Sequence, residues 1–297
     1  MKYLSITEIA KKWNVSDRMV RYYCSSGRIP GAYLIGKTWS IPEDAVKPIK
    51  QKKPKLTDNN FLNILIEQKD SKLKGGIYHK TQIELTYNSN HIEGSTLTHD
   101  QTLYIFETNT VGTIKNATLN IDDIIETTNH FKCIDYIIEY AKKPLTEALI
   151  KHLHFMLKVG TSDSTKDWFN VGDYKKLPNE VAGMQTCLPE NVKEQMQALL
   201  TNYNSIQNKT INTIIEFHKN FESIHPFQDG NGRVGRLIMF KECLNNNIVP
   251  FIIDENHKLF YYRGLKEWNN EQGYLIDTCL SCQDQYKKWL DYFKIKY

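Results

Sequence analysis

Apolar residues recur at intervals of three and four along most of the chain, which is the spacing of one buried helix face. The clearest case is residues 211–224, and a second apolar helical run follows residue 232. The same spacing predicts further helices at residues 6–13, 17–25, 60–74, 81–93, 121–140, 144–156, 189–203, 260–268 and 283–293. The chain is therefore predicted to be mainly α-helical.

Two stretches depart from this helical spacing. Residues 32–35 and 38–41 flank a Gly36-Lys37 turn, which predicts a small β-hairpin. Helical periodicity also disappears between Trp168 and Pro189, where glycine and proline punctuate the chain. Two short strands joined by a turn are expected there, one over residues 173–177 and the other over 181–188.

Charge divides the chain into two parts. Residues 1–56 carry twelve lysines and arginines against four acidic residues, a net charge of +8, so the remaining residues sum to −4. Residues 51–59 form a basic, proline-containing linker without periodicity. This asymmetry predicts a basic partner-binding domain over residues 1–50 and a separate enzyme domain over 60–297.

The basic N-terminal part carries the marks of two short helices before the hairpin. Ser5 and Glu8 have the spacing of a capping box, Ser16 is a suitable N-cap, and Gly27 terminates the second helix. This order resembles the winged helix-turn-helix of the excisionase and MerR type, which implies that the second helix enters a DNA groove. The basic side chains available for DNA contacts are Arg18, Arg21, Arg28 and Lys37. A protein-interaction or dimerisation module with a solvated basic face is the alternative.

Residues 225–236, H-P-F-Q-D-G-N-G-R-V-G-R, lie between two predicted helices. Pro226 ends the first helix because the residue before a proline is disfavoured in the α region. Gly230, Asn231 and Gly232 then begin the second helix. Unpaired backbone N–H groups and the positive end of the helix dipole meet there, which makes an anion cradle.

The side chains of this stretch suit phosphate chemistry. Arg233 and Arg236 are three residues apart, so they share one helix face and can grip phosphates. Asp229 is a hard oxygen ligand suited to a phosphate-bound Mg²⁺. His225 titrates near neutral pH and is a natural general base for a hydroxyl nucleophile. Taken singly, each residue also fits a plain capped helix on the surface.

This stretch resembles the Fic family motif, H-x-F-x-(D/E)-G-N-G-R-x-x-R, at all eight specified positions. Those positions are His225, Phe227, Asp229, Gly230, Asn231, Gly232, Arg233 and Arg236. The resemblance implies a helical Fic domain that transfers AMP from ATP, with Mg²⁺, to a Ser, Thr or Tyr hydroxyl of a target protein. It also implies that residues 173–188 form a flap that pairs with an extended target segment, an ordinary surface loop being the alternative. Phe227 is interpreted as a core anchor for the loop.

Residues 81–94 end in S-N-H-I-E-G, which places Ser89 and Glu93 four residues apart on one helix face. A carboxylate at a helix C-terminus opposes the dipole, and Gly94 stops the helix, so a cationic partner for Glu93 is expected. The segment resembles the family's inhibitory motif, (S/T)-x-x-x-E-(G/N). This implies that Glu93 pairs with Arg236 and blocks seating of the γ-phosphate. Glu93 orienting a water that removes AMP is a second role to weigh, and a solvated helix end is the plain alternative.

Other functions stay open at this stage. The Fic-like domain of a transcriptional regulator would sense nucleotide without turnover, and related folds transfer UMP, phosphocholine or the γ-phosphate. No apolar run reaches the ~18–20 residues of a membrane span, and the N-terminus does not open a signal peptide. A cytoplasmic protein without a membrane partner is expected, and whether it forms a homo-oligomer stays open.

The remaining residues with reactive side chains are assigned to packing. Cys279 and Cys282 form a C-x-x-C without a second pair, which predicts two buried thiols. His130, His152 and His154 lack the spacing of metal ligands. Either Tyr261 or Tyr262 could approach a nucleotide base, and neither is assigned that role.

Overall fold

The computed structural model describes residues 2–25, 28–36, 38–48, 61–112, 118–181 and 184–297. The chain divides into two compact units, Met1–Thr57 and Asp58–Tyr297. Gly27, Lys37 and the predicted linker 51–59 lie outside the described residues.

The first unit combines two helices with a three-stranded sheet. Its elements are Tyr3–Leu4 (β1), Ile6–Trp13 (α1), Asp17–Ser25 (α2), Tyr33–Ile35 (β2) and Thr38–Pro42 (β3). Ser5 caps α1 and forms a capping box with Glu8, as the spacing predicts. Strand β3 pairs antiparallel with both β1 and β2. The predicted helix pair and hairpin are present; β1 has only two residues and leaves no periodic pattern to recognise.

The second unit is almost entirely helical, so the mainly helical prediction is confirmed. Its helices are Phe61–Ser71 (α3), Ile77–Ile92 (α4), His99–Thr108 (α5), Ile121–Glu139 (α6), Glu147–Lys158 (α7), Pro189–Ser205 (α8), Ile211–Ile224 (α9), Asn231–Asn245 (α10), Lys258–Glu267 (α11) and Gly273–Tyr292 (α12). A two-stranded antiparallel ribbon, Glu180–Val181 (β4) and Met184–Gln185 (β5), lies between α7 and α8 in sequence. Within the described residues, no helix has the length and apolar character to span a membrane.

Helix α10 is the centre of this unit. Every residue from Asn231 to Leu244 is buried, because α9, α6, α7 and α4 all pack around it. The charged residues of this buried helix are paired, and glycine occurs where a neighbouring helix packs closely. Gly235 illustrates this, since an added Cβ would lie 2.7 Å from the ring of His218 on α9. The loop that precedes α10 is therefore mounted on the most buried element of the unit.

The prediction is wrong for two strands and two helices. Residues 181–188 are not one strand, because Val181 belongs to β4 and Met184–Gln185 forms β5. Residues 173–177 are not a strand, because the Lys175 N–H donates to Pro226 O at 2.9 Å and the Leu177 N–H to Gln228 Oε1 at 3.3 Å. Their backbone thus bonds to the loop before α10 and has no neighbouring strand. Helix α12 begins ten residues before the predicted start at residue 283, and α5 is absent from the prediction. In both helices the spacing of apolar residues is only a weak signal of the buried face.

Candidate active site

The loop before α10 begins with a strained residue. His225 caps the C-terminus of α9 in the left-handed conformation, with φ 51° and ψ 62°, and its N–H donates to Phe221 O at 2.9 Å. A non-glycine residue is uncommon in this region of backbone space and persists only where its surroundings hold it there. Gly230, the N-cap of α10, takes φ 80° without a side-chain penalty. The chain thus reverses within six residues, as Pro226 and the glycines predict.

Asn231 and Phe227 hold this reversal in place. The Phe227 N–H donates to Asn231 Oδ1 and Asn231 Nδ2 donates to Phe227 O, both at 2.8 Å. The Phe227 ring is fully buried and stacks on His154 of α7, with ring centroids 4.0 Å apart. Its position matches the core anchor that the sequence analysis assigns. Both polar atoms of the Asn231 side chain bond to the Phe227 backbone, so the donors that this turn offers to an anion are backbone N–H groups.

His154 is a support of the loop that sequence reasoning missed. Its Nε2–H donates to Asp229 O at 3.1 Å, and its Nδ1 accepts from the Gly172 N–H at 2.9 Å. Burial lowers the pKa of the imidazole to about 3, so the ring is neutral. The sequence assigns it to packing without a specific role. Only its contact with a loop 75 residues later in the chain reveals what it supports.

Asp229 and Arg233 lie in a buried charge cluster that extends to α6 and α7. Asp229 Oδ2 accepts from Lys158 Nζ at 2.7 Å and from Arg233 Nη2 at 3.2 Å, while Glu126 bonds to both Lys158 and Arg233. These two cations hold the pKa of the Asp229 carboxyl far below its usual range, against the opposing effect of burial. Lys158 is only 2% exposed and also contacts Asp163, and neither it nor Glu126 was recognised in the sequence.

Arg236 lies about one turn further along α10 than Arg233 and contacts the predicted inhibitory segment. Its Nη2 donates to Glu93 Oε1 at 2.6 Å and to Ser89 O at 2.9 Å, and its Nε donates to Ser89 Oγ at 3.0 Å. Glu93 is the C-cap of α4, and Gly94 follows with φ 98°. The structure thus brings Glu93 and Arg236 together, as the resemblance implies, and makes Ser89 a second partner of the arginine.

Glu93 also lies against the start of α10. A Cβ placed on Gly232 would come within 2.2 Å of Glu93 Oε1, so only glycine leaves room for the carboxylate there. The carboxylate therefore occupies space directly over the N-terminal turn of α10, where an anion would be attracted. An anionic ligand seated on that turn would have to share or displace the position of Glu93.

His225, Gly232, Arg236 and Glu93 line one cleft of about 490 Å³. Burial, with the nearby charge of Lys175, lowers the pKa of His225 to about 4, so the imidazole is neutral near pH 7 and can accept a proton. Helix α11 forms the opposite wall. Tyr261 is buried and bonded to His218 at 2.7 Å, whereas Tyr262 is partly exposed in the cleft, so Tyr262 is the better placed of the two to meet a base.

The β4–β5 ribbon is anchored to the loop through Lys175. Lys175 Nζ donates to Asn179 Oδ1 and Thr186 Oγ1, each at 2.7 Å, and Asn179 Nδ2 donates to Phe227 O at 3.1 Å. Burial of this lysine lowers its pKa to about 8. The ribbon turn at residues 182 and 183, including the predicted punctuation at Gly183, lies outside the described residues.

Asp229 fits a magnesium ion that arrives with a nucleotide. The carboxylate is 46% exposed, and Mg²⁺ is commonly held by one or two carboxylates together with substrate phosphates and water. No cluster of three or more His, Cys, Asp or Glu side chains suited to a metal occurs in the part of the chain that the structure describes. The Asp229 carboxylate therefore suits a metal ion that is also bound by phosphate, and the described residues do not surround a metal ion by themselves.

The other residues singled out in the sequence are not among the described residues that line this cleft. Arg18 and Arg21 are exposed on α2 and Arg28 is partly buried, all in the first unit, while Lys37 is outside the described residues. Cys279 and Cys282 are buried free thiols, as predicted. His130 bonds to Thr86 at 3.0 Å in the interior, and His152 packs on Tyr136.

Comparisons with known proteins agree with this geometry. Residues 144–243 match the model of the Fic/DOC family, a segment that contains the whole loop and its helix. A protein adenylyltransferase Fic from Nematostella vectensis is 28% identical over 200 residues, which cover 62% of this chain and 42% of that protein. A protein of the same name from Drosophila grimshawi is 28% identical over 184 residues, covering 61% and 36%. The match thus spans less than half the length of these relatives.

Solved structures share the fold. A Fic domain containing signaling protein from Bacteroides thetaiotaomicron aligns with a TM-score of 0.62 at 24% identity, over 79% of this chain and 94% of that one. A Fic protein from C. elegans aligns with a TM-score of 0.59 at 19% identity, over 78% and 72%. The chain therefore shares the helical fold of these structures, and residues 144–243 are similar to the Fic/DOC family.

Proposed function

We propose that this protein is an adenylyltransferase that moves AMP from ATP to a hydroxyl group of a target protein. The observation that carries the proposal is the placement of a neutral His225, the N-terminal turn of α10 and Arg236 on one cleft. A base, an anion cradle and a phosphate-binding cation are the groups that nucleotidyl transfer requires. The curated relatives bear the name of that activity.

In the proposed reaction, His225 takes the proton from a Ser, Thr or Tyr hydroxyl of the target. The hydroxyl oxygen bonds to the α-phosphorus while the bond to the bridging oxygen of the β-phosphate breaks, and pyrophosphate leaves. Backbone N–H groups from Gly230 to Gly232, with Arg233 and Arg236, stabilise the phosphate charge. Mg²⁺ on Asp229 would neutralise charge that develops on the phosphate oxygens. The protein thus acts mainly by positioning and electrostatic stabilisation.

The same cleft supports autoinhibition by Glu93. Glu93 Oε1 accepts a hydrogen bond from Arg236 Nη2 at 2.6 Å, and the carboxylate lies over Gly232. A γ-phosphate would need the same guanidinium, and two anions cannot share it without strong repulsion. ATP would then bind with its phosphates displaced from the in-line arrangement. The resting protein is proposed to be restrained until Glu93 leaves.

The donor and the transferred group are tested by labelling. The Glu93→Gly protein and its His225→Ala derivative are incubated in cell lysate with ATP labelled separately at the α- and γ-phosphates. We expect labelling that depends on His225 from the α-position alone. Labelling from the γ-position that depends on His225 would identify a kinase. Labelling from neither, together with DNA binding that responds to ATP, would favour a nucleotide-sensing regulator, and a donor such as UTP would be tried next.

We also propose DNA as a partner of the first unit. Arg18 and Arg21 are exposed three residues apart on α2, in a part of the chain with a net charge of +8. Side chains so spaced share a helix face and can both reach phosphates along a groove. The finer assignment to the excisionase and MerR type remains a hypothesis.

Double-stranded DNA binding by this unit should depend on salt. Each phosphate contact that is removed should reduce the slope of log affinity against log salt concentration by about 1. We therefore expect the Arg18→Ala, Arg21→Ala protein to lose about two units of slope in fluorescence anisotropy titrations. Lys287→Ala, a change in the other unit, is the control and should leave the slope unchanged. An unaltered slope in the double variant would favour a protein-interaction module.

A further inference from the structure

Glu222, in the last turn of α9, is a buried carboxyl beside the proposed general base. Its side chain is 13% exposed, and Oε2 lies 3.8 Å from Nδ1 of His225. Within the described residues, Glu222 Oε1 and His225 Nδ1 are both buried and have no hydrogen-bond partner. Buried polar atoms of this kind are rare in native proteins, because leaving them unpaired is costly. Oε1 lies beside Gly235 and His218, whose Nδ1 is also unpaired among the described residues. Oε2 is therefore the oxygen that faces His225 Nδ1 and would reach it if the 3.8 Å separation shortened.

The surroundings fix the position of this carboxyl. An added Cβ on Gly235 would lie 2.8 Å from Glu222 Oε1, so α10 leaves space for it only because residue 235 is glycine. The charged and titratable groups that face Glu222 are Glu93 of α4, Arg236 of α10, Tyr261 of α11, and His218 and His225 of its own helix. Burial, with the charge of Glu93, raises the pKa of Glu222 to about 8.

The proton on the His225 ring decides whether this residue can act as a base. A neutral imidazole carries one N–H, and the acceptor next to one nitrogen determines which nitrogen bears it. Nδ1 is buried, and the ring lines the cleft, so Nε2 is the nitrogen available to a substrate hydroxyl. A proton on Nε2 would remove the lone pair that the reaction needs. An acceptor behind Nδ1 prevents this, as in other enzymes where a carboxylate orients a histidine.

We propose that Glu222 is a positioning residue for His225, whose carboxyl accepts the Nδ1–H and so directs the Nε2 lone pair to the reacting hydroxyl. The proposal rests on the proposed role of His225 as the base. The 3.8 Å separation is longer than a hydrogen bond, and catalytic hydrogen bonds often shorten only when substrate binds. A neutral carboxyl suffices, because its carbonyl oxygen accepts the bond without turning the imidazole into an imidazolium.

The proposal predicts different effects on kcat for two substitutions of Glu222. In the Glu93→Gly background, Glu222→Leu removes the acceptor at similar volume and should lower kcat by about 10²-fold, within the range that a general base supplies. KM for ATP should change less than about threefold, because the phosphates are held by α10. Glu222→Gln keeps a carbonyl acceptor and should restore kcat to within about fivefold of the parent. Glu216→Gln, an exposed carboxyl on the same helix, is the control and should have no effect.

A second measurement does not depend on activity. Nitrogen-15 NMR of histidine-labelled protein distinguishes the two ring tautomers, and the His225 signal is identified by its absence in His225→Asn. In the Glu93→Gly background with ATP bound, the state in which the contact is proposed to form, we expect the Nδ1–H tautomer with Glu222 and with Glu222→Gln, and a mixture of tautomers with Glu222→Leu. If the Glu222→Leu protein does not fold, Glu222→Met serves as a second apolar variant of similar length.

These results distinguish the proposed role of Glu222 from the proposed transferase function. An Nδ1–H tautomer that persists in the apolar variants would overturn the role of Glu222, as would equal kcat losses in the Gln and Leu proteins. A Glu93→Gly parent without any transfer activity would overturn the proposed function. In that case the tautomer measurement would still decide whether Glu222 orients the ring.

Discussion

Replacing Glu93 by glycine is expected to raise AMP transfer by about 10- to 100-fold. A hydrogen bond between charged groups contributes about 1.5–3 kcal/mol, and each ~1.4 kcal/mol corresponds to a factor of ten in population or rate. Arg236 loses its carboxylate partner at 2.6 Å and becomes free to bind a phosphate. Glycine also clears the space over Gly232 that Glu93 Oε1 fills. The measurement is the initial rate of α-phosphate labelling of lysate proteins at saturating ATP.

Two further variants test how much the charge of Glu93 and the hydroxyl of Ser89 each contribute to the inhibition. Glu93→Gln keeps the shape and removes the charge, so its rate should lie between those of the wild type and the glycine variant. Ser89→Ala removes one of the three bonds to Arg236 and should have a smaller effect. Equal labelling by the wild type and Glu93→Gly would contradict autoinhibition. A pulse of label followed by unlabelled ATP separates faster transfer from slower removal, the second role considered for Glu93.

Replacing His225 in the Glu93→Gly background should lower kcat for transfer by at least about 10²- to 10⁴-fold, the range that general acid–base catalysis supplies. Alanine is strained at the φ of 51° that His225 adopts, so the variant risks disturbing the loop. His225→Asn is the better test, because asparagine tolerates the left-handed region and cannot act as a base near pH 7. Affinity for ATP should be nearly unchanged, because the α10 N-terminus and the arginines remain.

The control for His225 is Ser223→Ala, which changes an exposed side chain on the rim of the same cleft. It should retain the transfer rate of the parent within about twofold, as surface substitutions generally do. Isothermal titration with ATP checks that the Asn variant still binds nucleotide. Undiminished labelling by both His225 variants would mean that another group takes the proton.

Local sequence rules account for the elements that carry the site. Pro226 predicts the end of α9, and the helix ends at Ile224. The glycines at 230 and 232 predict the start of α10, which begins at Asn231. Gly94 predicts the end of α4, and so it places Glu93 at a helix terminus. Each of these features depends on a few neighbouring residues, which is why one sequence is enough to foresee it.

The partners of the site residues depend on distant parts of the chain. Lys158 reaches Asp229 across 71 positions, and Glu126 reaches Arg233 across 107. The predicted helix ends at residue 156, so periodicity does not mark Lys158, which is the last residue of α7 in the structure. The same limitation explains residues 173–177, whose extended backbone is held by the loop before α10 and not by a strand partner. Tertiary contacts of this kind override local preference.

The anchoring of the β4–β5 ribbon limits the sequence change that its base tolerates. Lys175, Asn179 and Thr186 tie the base of the ribbon to the backbone of Pro226 and Phe227 next to His225. Their replacement would shift that base relative to the histidine. Under the proposed function, variants designed to change target choice would therefore keep these three residues, because they hold the ribbon in line with the reacting group.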